Sequence, residues 1–132
     1  YNVMLVTIGR SSTENGTYLP GVDGVDASQD LNQTDPLGLS DDERDLINAA
    51  VEAKENNGGK VIVMLNNANA MEIDEIKNND GVDAIMEIGL PGAYGFYGVA
   101  DVLSGEANPS GHLTDTYAVT NANSPAAQNF GN

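Results

Sequence analysis

Three short apolar runs recur along the chain, each followed by a segment of helical character. Asn2 to Ile8 ends at Gly9, Lys60 to Leu65 ends at Asn66-Asn67, and Asp83 to Ile88 ends at Gly89. The runs are rich in Val and Ile and more continuous than alternating, the pattern of strands covered on both faces in a parallel sheet. Their lengths and the bounding Gly and Asn residues favour strands over buried helix.

The segments between the runs carry helix signals. Ser40-Asp41-Asp42-Glu43 is a capping box, in which the serine hydroxyl accepts from a free backbone N–H and the glutamate reaches back. Leu46, Ile47, Ala50, Val51 and Ala53 then form an apolar stripe at helical spacing, closed by Asn56-Asn57-Gly58-Gly59. A shorter helix is expected from Met71 to about Lys77, with Ile73 and Ile76 turned inward. A third is expected over about Tyr94 to Ser104, stopping at Gly105, with Phe96, Val99, Ala100, Val102 and Leu103 on it. Met71, Phe96 and Val99 read as core residues.

Strands alternating with helices predict an α/β fold, a three-layer sandwich with a mainly parallel sheet flanked by helices. Residues 1–120 make up this domain, with a loop insertion at about 11–38, and residues 121–132 form a polar tail, frayed or cut inside a larger unit. Ligands of such sheets sit outside the carboxyl ends of the strands, so the segments after Ile8, Leu65 and Ile88 are where chemistry is sought. The stretch from Gly9 to Gly38 is far longer than a strand-to-helix connection requires, which marks it as functional or disordered.

Composition narrows the function classes. At 132 residues the chain has room for one domain, and 40% hydrophobic content supplies its core. With 20 acidic residues, 5 basic ones and a formal net charge of −15, a nucleic acid or an anionic membrane would be repelled. Cysteine is absent, which removes disulfides, thiolate metal sites and cysteine nucleophiles. The longest apolar run, Val61 to Leu65, is too short to span a bilayer. The chain opens on Tyr1 with no signal-type segment, and is expected to be a piece of a longer protein.

Several constellations are poor carriers of chemistry. Gly89-Leu90-Pro91-Gly92-Ala93-Tyr94-Gly95 follows a strand and opens a helix, yet it has neither the G-x-G-x-x-G nor the Walker order, and reads as a tight turn. A free-standing flavodoxin-like ligand domain is therefore disfavoured. Asp23, Asp26, Asp30 and Asp35 do not match calcium-loop spacing and read as a solvated acidic loop. His112 is the sole histidine, which excludes a multi-histidine zinc site, and no G-x-S-x-G elbow accompanies it. Glu14 lies a few residues past the first strand among small polar residues, in Arg10-Ser11-Ser12-Thr13-Glu14-Asn15-Gly16. Composition alone leaves it one acid among 20.

The order of motifs adds what composition lacks. Val3 to Arg10, Thr13-Glu14-Asn15-Gly16, Leu39-Ser40 with Glu43, Lys60 to Asn66, Met71-Glu72 and Ile85 to Gly95 occur in sequence. Then comes Ala100-Asp101-Val102-Leu103-Ser104-Gly105-Glu106-Ala107-Asn108-Pro109-Ser110-Gly111-His112-Leu113, followed by Thr116-Tyr117. This resembles the carboxyl-terminal α/β domain of glycoside hydrolase family 3, the β-glucosidase and β-xylosidase family, over about residues 2–118.

The resemblance implies an active site shared between two domains. A separate (β/α)8 barrel would bind the sugar and supply an aspartate nucleophile, and a loop of the α/β domain would supply the glutamate acid/base. In many members that glutamate stands in S-G-E-G just after the first strand and its Gly-Arg, the position of Glu14 here; Thr13 and Asn15 replace the flanking glycines. Arg10 is a candidate substrate contact, able also to orient the loop or pair with an acid. The implied substrate is a β-linked oligosaccharide or glycoside, with no cofactor and no metal. The alternative is a non-catalytic structural or carbohydrate-binding module packing on the barrel. Asn108-Pro109-Ser110-Gly111 reads as an architectural turn.

Overall fold

A computed structural model of the chain describes residues 2–10 and 37–129. Three strands, β1 (Val3–Gly9), β2 (Lys60–Asn66) and β3 (Ala84–Glu87), pair in parallel in the order β1-β2-β3. The helices are α1 (Asp41–Asn57), α2 (Asp74–Lys77), α3 (Gly92–Ser104) and α4 (Pro125–Gln128), the last preceded by a 3-10 turn at Asn121–Asn123. This is the α/β sandwich with a parallel sheet that the alternating pattern predicts.

Register decides which residues form the core. Met4, Val6 and Ile8 of β1 lie beside Val61, Val63 and Leu65 of β2, and Ile85 of β3 lies beside Val63. These side chains share one face of the sheet, because paired residues of a parallel ladder point the same way. Val61 and Val63 are fully buried there, together with Ile47 of α1, Ile76 of α2, Leu39 and Met71. Crossovers from β1 to β2 to β3 advance in one direction, and α1 packs on the β1–β2 pair.

The opposite face is mostly open among the described residues. Val3 and Leu5 are about half exposed, and Met64 is its buried exception. Continuous apolar runs predict cover on both faces; β1 instead alternates, buried at Val6 and Ile8 and exposed between them.

α1 forms as its local sequence dictates. The Ser40 hydroxyl accepts from the Glu43 N–H at 3.1 Å, and the Glu43 carboxylate accepts from the Ser40 N–H at 2.8 Å. Asp41, Asp42 and Glu43 occupy the positive end of the helix dipole. Gly58, at φ 75°, ends the helix with its N–H on the Lys54 carbonyl. Leu46, counted in the apolar stripe, is half exposed, and Ile47 is the buried residue of the helix.

α3 departs from expectation. It begins at Gly92 and stops at Gly105, which takes a left-handed φ of 84°. Yet none of its residues is buried, and Phe96, expected in the core, is 46% exposed, with Tyr94 and Tyr97 more open still. A helix in an α/β unit buries its apolar stripe between the strand before it and the strand after it, and among the described residues no strand follows α3. Met71 is buried as expected. The second helix spans only Asp74–Lys77, with Ile76 inward.

Two features join α1 to the strands it covers. Asp83, just before β3, accepts from Lys54 and Lys60 and from the Val61 N–H, each at 2.8 Å. Those contacts, the Lys54 bond foremost, hold its carboxyl well below the ordinary range. Gly81 in the same connection meets Val51 of α1 so closely that an added Cβ would overlap the Val51 methyls. Gly81→Ala is expected to destabilise the chain by about 1–3 kcal/mol through overpacking, read as a lower denaturant midpoint, with Gly81→Ala/Val51→Ala recovering part of the loss.

Candidate functional site

The carboxyl ends of the three strands are laced side by side. The Arg10 N–H donates to the Asn66 carbonyl at 3.1 Å, continuing the β1–β2 ladder by one residue. The Asn66 amide donates to the Gly89 carbonyl at 2.5 Å, and the Ile88 N–H reaches the Leu65 carbonyl at 3.0 Å. Gly89 turns the chain with a φ of 58°, a left-handed value that favours glycine. In the first turn of α3 Gly92 also has positive φ, and a Cβ at Gly95 would crowd Pro91. These glycines are explained by the turn and the close approach.

Arg10 stands at the β1 side of this edge. Its guanidinium donates to both Glu43 oxygens, at 3.2 and 2.5 Å, and to the Gly38 carbonyl at 2.7 Å. The Arg10 and Glu43 side chains are 8% and 19% exposed. In the structure Arg10 and Glu43 form an ion pair. Glu43 was legible only as a capping residue; its second partner lies 33 positions away, with no local signal. Glu14 lies outside the described residues, as do Asp23, Asp26, Asp30 and Asp35.

A cleft of about 400 Å³ opens beside these ends, within the size range of small-molecule sites. Its walls include Ala70, Met71 and Pro125, together with Glu72 and Asp115. A Glu72 oxygen accepts from the backbone N–H of Asn121, which draws the first part of the polar tail onto the domain and buries Asn121. Nearby, Asn67 is buried with its amide N–H on the Met71 sulfur at 3.2 Å.

The segment Ala107 to Leu113 runs exposed and irregular after α3 and leads to Tyr117, which packs on the core. The Tyr117 hydroxyl donates to Glu87 at 2.9 Å, and the other Glu87 oxygen accepts from the Gly89 N–H at 2.7 Å. Glu87 therefore ties Tyr117 to the turn after β3. Sequence reasoning passed over this pair, because a glutamate inside an apolar strand carries no mark of its partner.

With this geometry in place, the chain can be set beside known proteins. The model of the glycosyl hydrolase family 3 C-terminal domain matches residues 1–132, and the chain belongs to that family. It is 30% identical over 120 residues to thermostable beta-glucosidase B of Acetivibrio thermocellus, covering 91% of this chain and 15% of that protein. It is 32% identical over 100 residues to probable beta-D-xylosidase 6 of Arabidopsis thaliana, covering 73% of this chain and 12% of that protein. Probable beta-glucosidase F of Emericella nidulans is 29% identical over 126 residues, which cover 96% of this chain and 13% of that protein. The chain thus spans less than a sixth of the length of these relatives. No solved structure gives a significant match.

Burial first, then the bond to Glu87 and the nearby negative charges, push the Tyr117 phenol above its ordinary value. A raised pKa in the fold means that the neutral phenol is favoured there, so its contribution is complete below about pH 10 and is lost as the pH rises beyond that. The denaturant midpoint is expected to fall above about pH 10, and Tyr117→Phe to flatten that fall while lowering stability at neutral pH.

Proposed function

We propose that this domain supplies the general acid/base, Glu14, to a retaining β-glycosidase whose nucleophile stands on a (β/α)8 barrel outside this chain. Family membership supports the reading, and the observation that carries it is the position of Glu14 in a Gly-Arg…Glu segment leaving the carboxyl end of β1. The substrate class is a β-linked oligosaccharide or glycoside, in keeping with the β-glucosidase and β-xylosidase names of the relatives.

In this mechanism the Glu14 carboxylic acid protonates the departing glycosidic oxygen, while a barrel carboxylate about 5–5.5 Å away attacks the anomeric carbon. The same glutamate, now ionised, takes a proton from water, which attacks the glycosyl-enzyme and releases the sugar. The acid step needs a carboxyl whose pKa is raised by burial or by a neighbouring carboxylate. A domain without its barrel supplies neither that cover nor the nucleophile. The purified 132-residue chain is therefore expected to show no turnover of an aryl β-glucoside; measurable hydrolysis would refute the division of labour.

The decisive experiment is Glu14→Gln in the intact protein. Loss of general acid catalysis is expected to slow glycosides with poor leaving groups by about 100- to 10,000-fold. Activated aryl glycosides should lose less, and azide should restore turnover by attacking the glycosyl-enzyme. Wild-type kinetics on every substrate would leave the domain as a non-catalytic module packing on the barrel.

A further inference from the structure

We propose that the cleft walled by Ala70, Met71 and Pro125 is a binding site for a neutral sugar ring. The inference rests on the β-glycoside substrate class proposed above, and on no residue between 11 and 36. Every residue lining the cleft is described: one side is the loop that follows β2, and another is the stretch from Asp115 to Pro125.

These two sides are fastened to each other and to the sheet. The Glu72 N–H donates to the Leu37 carbonyl at 2.9 Å, and a Glu72 side-chain oxygen accepts from the Asn121 N–H across the cleft. The stretch from Asp115 to Pro125 is held in turn by the Tyr117 hydroxyl, which donates to Glu87 at 2.9 Å. Further along it, the Asn123 N–H meets the Thr120 carbonyl and the Ser124 N–H meets the Asn121 carbonyl, both at 2.9 Å. Met71 and Asn121, one on each side, are buried. A cleft built in this way loses little conformational freedom when a ligand enters, and that favours binding.

The residues point to an uncharged ligand rich in hydroxyls. As many polar residues as apolar ones line the cleft, a more polar mixture than a purely apolar guest requires. Ala70, Met71 and Pro125 offer surface for the C–H face of a sugar ring. Asn69, Asp115 and Thr116 bring an amide, an acid and a hydroxyl, which together can accept from sugar hydroxyls and donate to them. Among the described residues no hydrogen bond engages the Asn69 or Thr116 side chain, and Asp115 accepts from its neighbour Thr114 at 3.3 Å. No Lys, Arg or His lines the cleft, so a phosphate or a uronate finds no partner there, and the formal charge of −15 repels it.

The test follows backbone hydrogen exchange in the intact protein, with glucose as the probe. Saturating glucose is expected to slow exchange within residues 68–72 and 115–125, the two sides of the cleft. Asp115→Ala and Thr116→Val, both at exposed positions, are each expected to raise the glucose concentration for half protection by about 10-fold, the scale of one hydrogen bond. Glucuronate should bind more weakly than glucose by about 10-fold or more, because its charge meets a field of the same sign. Exchange that glucose leaves unchanged at these residues would overturn the proposal, as would protection that both variants retain at the wild-type concentration. Protection by calcium chloride alone would make the cleft a cation site and overturn it too. Glu14→Gln, assayed alongside, separates the two readings. Wild-type kinetics together with glucose protection would remove the acid/base assignment alone; azide rescue without protection would remove the sugar site alone.

Discussion

The parallel pairing of β1 with β2 under α1 is the constraint on which the rest of this domain depends. It seats Val6 beside Val63 and Ile8 beside Leu65, so that one apolar layer is removed from water by Ile47 of the helix between the two strands. A slip of one residue would turn each of these side chains to the other face, which is half open, and expose them. Burial thereby holds the ladder in register to its last pair, Gly9 with Asn66. That alignment is why Arg10, Asn66 and Gly89 meet at one edge.

Polar bonds then specify what the apolar layer only brings together. Asn66 joins the ends of β2 and β3, Glu87 joins the turn after β3 to Tyr117, and Arg10 joins the end of β1 to the start of α1. Each is a part-buried bond, where losing one partner costs more than the bond itself contributes.

Much of the fold was legible because its causes are local. The box Ser40 to Glu43 carries both halves of its hydrogen-bond pair within one turn, and the stops at Gly58 and Gly105 reflect backbone conformations that glycine adopts without strain. Ile76 and Met71 announced their burial by apolar character in a polar neighbourhood. The exposure of Phe96 could not be read this way, since its pattern states that a face wants cover and says nothing of whether cover is present. Glu14 was singled out by the order of motifs along the chain, not by its own surroundings.

By itself, then, the sequence determined the strands and the long capped helix, the absence of thiol chemistry and of a basic surface, and the family to which the chain is related. Tertiary structure decided which apolar residues lie inside, and which partner each polar side chain takes. The physical reason is distance along the chain. Caps and periodicity act over a few residues, whereas Arg10 and Glu43 are 33 apart and Glu87 and Tyr117 are 30 apart. Such pairs exist only once the sheet has closed, and nothing in either residue's neighbours records the other.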